Sequence, residues 1–346
     1  MAYTDIDKSD DYFNTVLYTG NGGTQSITGV NFQPDWVWCK ARTGTAYHHL
    51  ECDAVRGATK YLLPSATTAE VTDATTITSF NSDGFTTGSS VATNGSGASF
   101  VSWNWLAGNG TASNTDGSIT STVSANTTSG FSIVKFTGTG SAATVGHGLG
   151  VAPDWYLVKR YNGGDGGQWN AYHSSLGATK FMLLNSTSAS QTSGTRWNNT
   201  EPTSSVFTVN TSGDVNNSGD LHVAYCFAEK KGFSKFGSYT GNGSTNGTFV
   251  YTGFKTAFVM VKRTNSTGSW RMWDNKREGY NGDNAFVYAN LSNAEESDGT
   301  LVDLLSNGFK WRGSSADMNG SGSSYIYLAF AENPFVTSTG IAGTAR

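Results

Sequence analysis

The sequence predicts an all-β chain built from three tandem, diverged β-sandwich units of jelly-roll-like type. Three observations lead there. Aromatic residues make up 13% of the chain, in a background rich in Gly (43 residues) and poor in Pro (5). Short aromatic and β-branched runs between Gly/Asn/Ser clusters read as short strands joined by tight turns. No segment sustains a helical period with caps, and one ordered set of anchors is met three times along the chain.

The first anchor, Tyr18-Thr19-Gly20-Asn21-Gly22, recurs as Phe136-Thr137-Gly138-Thr139-Gly140 and Tyr239-Thr240-Gly241-Asn242-Gly243. The second is Pro34-Asp35-Trp36-Val37-Trp38-Cys39-Lys40, matched by Pro153-Asp154-Trp155-Tyr156-Leu157-Val158-Lys159 and Thr256-Ala257-Phe258-Val259-Met260-Val261-Lys262. The third is Gly84-Phe85, against Val206-Phe207 and Gly308-Phe309. The fourth is Val101-Ser102-Trp103-Asn104-Trp105, against Val223-Ala224-Tyr225-Cys226-Phe227 and Ile326-Tyr327-Leu328-Ala329-Phe330. Its first, third and fifth positions are large and apolar in every copy, which is the period of a strand with one face in a core.

These anchors divide the chain into an N-terminal segment (1–14), unit one (15–107) and a Ser/Thr/Asn/Gly-rich linker (108–130). Unit two (131–230), unit three (231–335) and a C-terminal tail (336–346) follow. Each unit has room for about six to eight short strands, enough for a two-sheet sandwich. Short helical turns are expected near 54–56 and 292–296. The polar linker suggests that unit one sits apart, while the short 229–232 connection suggests that units two and three pack tightly.

Composition limits the partners. Only 14% of residues are charged, the formal net charge is −4, and no Lys/Arg cluster offers a grip on nucleic acid. No apolar stretch approaches the length of a membrane-spanning helix, and the polar start lacks the apolar core of an export signal, so synthesis in the cytoplasm is expected. Three scattered Cys (Cys39, Cys52, Cys226) are too few for a disulfide framework or a zinc site. They read as buried free thiols, with a Cys39–Cys52 link as the lesser alternative.

Catalytic candidates lack partners. His173 falls on the position of Asp53 and Asp274 in the other copies, and Ser174 and Ser175 beside it form no Gly-x-Ser-x-Gly elbow. Glu229 and Glu332 recur two residues past the fourth anchor, where a turn or interface role is expected rather than a glycosidase pair. Asp35 and Asp154 recur at a strand start, where an Asp satisfies free backbone N–H groups. Asp53-x-x-Arg56 and Asp274-x-x-Arg277 read as a repeated local ion pair, replaced by His173 and Leu176 in the second copy. The Gly-rich runs, such as His147-Gly148-Leu149-Gly150, lack the Lys-Ser/Thr of a phosphate loop. No catalytic residue, metal site or cofactor is therefore expected. The weak ligand-binding candidates are His49, Trp169 and Trp270, which share one position in the repeat. The favoured reading puts them in the core of one strand; if exposed, they are repeated platforms for sugar rings.

Several long segments resemble a family of structural proteins of marine phages, which infect cyanobacteria and other marine bacteria. The resemblance rests on Phe13-Asn14-Thr15-Val16-Leu17-Tyr18-Thr19-Gly20-Asn21-Gly22, Gln33-Pro34-Asp35-Trp36-Val37-Trp38 and Val55-Arg56-Gly57-Ala58-Thr59-Lys60. It extends through Thr144-Val145-Gly146-His147-Gly148-Leu149-Gly150, Lys235-Phe236-Gly237-Ser238-Tyr239-Thr240-Gly241-Asn242-Gly243 and Tyr327-Leu328-Ala329-Phe330-Ala331-Glu332-Asn333-Pro334-Phe335. The resemblance implies a virion protein, foremost a tail fibre or receptor-binding appendage, self-associated as a homotrimer and bound to other virion proteins. It extends to a host cell-surface glycan as partner and carries over no catalytic motif. A capsid decoration protein is the alternative, and a carbohydrate-binding or depolymerase module the third.

Overall fold

The alternation at the fourth anchor builds three strands, Ser99–Trp105, Leu221–Phe227 and Ser324–Pro334. In the computed structural model, which describes residues 3–44, 46–164, 166–277, 281–299 and 301–343, each is second in a run of four neighbouring strands whose order recurs in every unit. In unit one that order is Phe13–Thr19, Ser99–Trp105, Trp36–Ala41 and Leu50–Asp53. Unit two repeats it with Phe131–Thr137, Leu221–Phe227, Trp155–Arg160 and Trp169–His173. Unit three does so with Ser234–Thr240, Ser324–Pro334, Phe254–Arg263 and Arg271–Asp274. All these pairings are antiparallel. A smaller sheet packs on the outside of each main sheet. It contains Gln25–Ile27 with Gly84–Thr87 in unit one, Ala143–Gly146 with Val206–Val209 in unit two, and Phe249–Tyr251 with Gly308–Trp311 in unit three. The chain is all-β in sandwich-like layers.

Each main sheet is buried on both faces. Its outer face meets the smaller sheet in a local core, where Ala224 and Cys226 lie with Phe207 and Val209, and Tyr327 and Ala329 lie with Phe309 and Trp311. Its inner face carries the large residues of the fourth anchor, Val101, Trp103 and Trp105 with Val223, Tyr225, Phe227, Ile326, Leu328 and Phe330, into one shared cluster. The fifth-position residues Trp105, Phe227 and Phe330 form a closed triangle, with ring centroids 6.4, 5.8 and 5.7 Å apart. A pseudo-threefold axis therefore runs through the chain, and aromatic rings fill it. The cavity left among Trp36, Trp105, Trp155, Phe227, Phe330 and their neighbours is only about 10 Å³.

Unit one does not sit apart: its Trp36 stacks on Tyr225 of unit two at 4.5 Å, and its Phe13 on Phe330 of unit three at 5.0 Å. A long polar connection does not hold units apart when its residues join a neighbouring sheet. Nor is 108–130 a linker. It contains Ala112–Asn114 and Ser121–Asn126, which extend the sheet of unit two beyond Phe131–Thr137. Its Ser/Thr-rich composition suits edge strands with one solvated face, while Ile119 and Val123 pack into the local core of unit two. The expected helical turns also lie elsewhere: the α-helical turns are Val91–Asn94, Gly194–Trp197 and Gly213–Asn216. Residues 54–56 form a plain turn, and 292–296 run into the strand Glu296–Ser297.

One device explains the first anchor. Asn94, Asn216 and Asn319 are buried, and each clamps the anchor loop of its own unit. Their side-chain oxygens accept from the N–H of Asn21, Thr139 and Asn242, at 2.9, 2.8 and 3.0 Å. Their amides donate to the carbonyls of Gly23, Ser141 and Ser244. The glycines Gly20, Gly138 and Gly241 are required because a Cβ there would lie 2.2–2.4 Å from a backbone oxygen beside the clamp.

Candidate functional site

The polar residues that repeat in the sequence converge on the three seams between units. The second-anchor lysines come first. Lys40, Lys159 and Lys262 end inner positions of equivalent strands, and all three are buried. Each reaches a loop carbonyl of the preceding unit: Lys40 Nζ donates to Ser292 O at 3.0 Å, Lys159 to Thr67 O at 2.7 Å, and Lys262 to Thr187 O at 3.2 Å. Burial pushes Lys40 and Lys262 down to about 8. A backbone bond two residues further on repeats as well. Glu295 N donates to Arg42 O, Glu70 N to Tyr161 O, and Ser190 N to Thr264 O, at 2.8–3.0 Å.

His49, Trp169 and Trp270 take the next place along each seam. All three are fully buried, so the exposed-platform alternative is corrected in favour of the core reading. Trp169 Nε1 donates to Leu63 O at 2.9 Å and Trp270 Nε1 to Leu183 O at 3.0 Å, each crossing into the preceding unit. His49 departs from this and bonds within its own unit. Its Nδ1 accepts from Trp38 Nε1 at 2.8 Å, and its Nε2 edge lies by the Tyr288 carbonyl, short of hydrogen-bond geometry. Burial first, then the neighbouring Lys40 charge, holds His49 well below the usual histidine range, so the ring is neutral.

The position shared by Asp53, His173 and Asp274 closes each seam from the other side. Asp53 accepts from Tyr225 Oη of unit two at 2.7 Å, and Asp274 accepts from Trp103 Nε1 of unit one at 3.0 Å. His173 Nε2 lies 3.3 Å from Tyr327 O of unit three. The expected ion pairs are present: Arg56 Nε reaches Asp53 at 2.5 Å and Arg277 Nε reaches Asp274 at 2.6 Å, with no more than 1% of any of these side chains exposed. Each guanidinium holds a second carboxylate, Glu70 at 3.0 Å and Glu295 at 3.1 Å. Glu295 also crosses the seam to Arg42 at 2.8 Å. In unit two His173 stands in, driven down to about 4 by burial.

The remaining candidates are likewise held in structural contacts. Asp35 accepts from the N–H of Ala107 and Asn109, and Asp154 from that of Glu229. Glu229 pairs with Lys235 at 2.7 Å and Glu332 with Lys255 at 3.1 Å. His147 lies near the Thr203 carbonyl and His222 near that of Asp220, while the exposed His48 meets Ser65. Cys39, Cys52 and Cys226 are buried free thiols, which removes the Cys39–Cys52 alternative. Among the described residues no group of three or more His, Cys, Asp or Glu side chains is placed to hold a metal ion, and no helix is long and apolar enough to cross a membrane.

Sequence reasoning missed three features. The lysine triplet was visible as the last residue of the second anchor, but a Lys ending a strand reads as solvated. The clamping asparagines sit in Asn94-Gly95-Ser96-Gly97, Asn216-Asn217-Ser218-Gly219 and Asn319-Gly320-Ser321-Gly322, a repeat hidden by its turn-like composition. Glu51 had no signal. It is wholly buried where Ala171 and Met272 stand in the other units, and burial raises its carboxyl well above the usual range.

A family model described as a domain of unknown function, DUF7483, matches residues 8–334. The chain belongs to this family. No curated protein matches the chain.

Proposed function

We propose that this DUF7483 protein is a non-catalytic structural component of a phage virion, foremost a tail fibre or receptor-binding appendage. The observation that carries the reading is where its repeated polar chemistry goes. Asp53, Asp274, His173, the indoles of Trp169 and Trp270 and the three lysines hold the units to one another, as expected of a building block. The resemblance to marine-phage structural proteins supplies the address. The inner faces of the three main sheets close on each other within one chain, which favours the single chain as the unit of assembly. Contacts to a homotrimer partner, other virion proteins or a host glycan then fall on the outer surface.

The pseudo-threefold axis also supports a second reading, a decoration protein seated at a threefold position of the head. Electron microscopy of virions labelled with a specific antibody separates the two. Label on tail fibres supports the first reading and label on the head the second. Particles that never carry label overturn both. A third reading, a depolymerase, requires release of product from host capsule or lipopolysaccharide, and the present reading expects none.

A further inference from the structure

The pseudo-threefold arrangement is broken at one seam, and a pocket opens there. Three equivalent positions face the axis from the first strand of each unit, opposite Trp103, Tyr225 and Leu328. Unit two places Ile133 there and unit three Phe236, and both join the shared core. Unit one has Thr15, buried, with a hydroxyl that has no partner inside the protein. The turn after the seam aspartate differs in the same way. Unit three carries Asn275-Lys276 where unit one has Ala54-Val55 and unit two Ser174-Ser175. Between these two departures lies a cavity of about 420 Å³, walled by Asp10 and Asn14 of the N-terminal segment, Thr15 and Asn31 of unit one, and Asn275 and Glu332 of unit three, among others.

We propose that this pocket is a binding site for a neutral polyhydroxylated ligand, a mono- or disaccharide. Its volume lies within the range of small-molecule sites, about 300–1,000 Å³. Its charges come near balance within the wall, Asp7, Asp10 and Glu332 standing against Lys8 and Lys276, which disfavours a free anion or cation. Lys8 lies 3.7 Å from Asp10 and also contacts Asp11, and Glu332 accepts from both Lys255 and Asn275. The lining is a mosaic of amides and carboxylates with Phe13, Ala257 and Ala331 contributing apolar surface. A sugar ring presents the same mosaic, hydroxyls along its edge and C–H groups on its face. Ser9 adds a second buried hydroxyl without a partner in the same wall. The site stands on the seam geometry and not on the virion address, so either proposal can fail while the other holds.

The test is titration of the full-length protein with glucose, galactose, mannose, N-acetylglucosamine and their common disaccharides, followed by saturation-transfer NMR. Sodium sulfate and calcium chloride are run alongside. Saturable binding of at least one sugar is expected, weakened about tenfold or more by Asp10→Ala, which removes an acceptor. Lys8→Trp, at an exposed position on the pocket wall, is expected to abolish it, and thermal unfolding confirms that both variants remain folded. No saturable sugar binding, binding of only sulfate or calcium, or sugar affinity unchanged in both variants overturns the proposal.

Discussion

Replacing Phe330 by Ala is the sharpest perturbation of the shared core, because its ring touches all three units. It is 2% exposed, and its centroid lies 5.0 Å from Phe13, 5.7 Å from Trp105, 5.8 Å from both Phe227 and Phe233, 6.0 Å from Phe236 and 6.2 Å from Phe258. Truncating a buried Phe costs about 3–5 kcal/mol in transfer and cavity energy. The upper half of that range, about 4–5 kcal/mol, is expected here, because aromatic rings on every side cannot collapse into the void without leaving their own pairings. For a chain of this length the unfolding entropy is roughly 0.7 kcal/mol/K, so the melting temperature should fall by about 6–7 °C. Urea titration followed by tryptophan fluorescence reads the loss, and Phe249→Ala, at a site 45% exposed, serves as the control with a change below about 0.5 kcal/mol. A Phe330→Ala variant as stable as the parent, or one in which a single unit melts early while the other two hold, would refute the shared core.

The buried ion pairs give a second prediction: Arg277→Leu leaves the buried Asp274 without its guanidinium, while Glu295 keeps Arg42, and should cost about 3–5 kcal/mol in the same titration. Adding Asp274→His, which copies the His173/Leu176 arrangement of unit two, should recover at least half of that loss. Acid sensitivity follows from His173 and His222, both driven to about 4 by burial. Between pH 6.5 and pH 4 the unfolded chain binds protons that the folded one refuses, so stability falls as pH falls. Between pH 7 and pH 5 the loss is roughly 2 kcal/mol per histidine. Asp35 and Asp154, whose carboxyls burial raises, oppose this at the acid end, so His222→Gln should flatten the slope near pH 5–6 by about one proton. Thiol titration should find three reactive Cys in denaturant and almost none in the folded protein, since burial lifts Cys39 to about 11 and Cys52 and Cys226 higher still.

The strands of the fourth anchor were legible because the period of two is a local property, and the structure places Val101, Trp103 and Trp105 on one face as that period requires. What those residues face was not legible. A large apolar face says that something covers it, and only the tertiary arrangement shows that the cover is two further copies of the same face. The same gap explains 108–130, where the Ser/Thr/Asn content that suggests a linker suits edge strands equally well. Trp169 and Trp270 were readable as core residues from their strand positions. Their indole N–H partners, Leu63 O and Leu183 O, lie in another unit and carry no sequence signature, since any residue supplies a carbonyl. Lys40, Lys159 and Lys262 show this limit most clearly: the repeat was in plain view, and only the neighbouring loop explains why a charge is kept there.

Differential scanning calorimetry of the intact chain tests the central claim, that three repeated units form one body around a filled axis, most directly. The arrangement predicts a single transition whose calorimetric enthalpy, roughly 240 kcal/mol for this length, equals its van't Hoff enthalpy. Three separable transitions, or a van't Hoff enthalpy near one third of the calorimetric value, would mean that the units fold independently and that the axis does not bind them together.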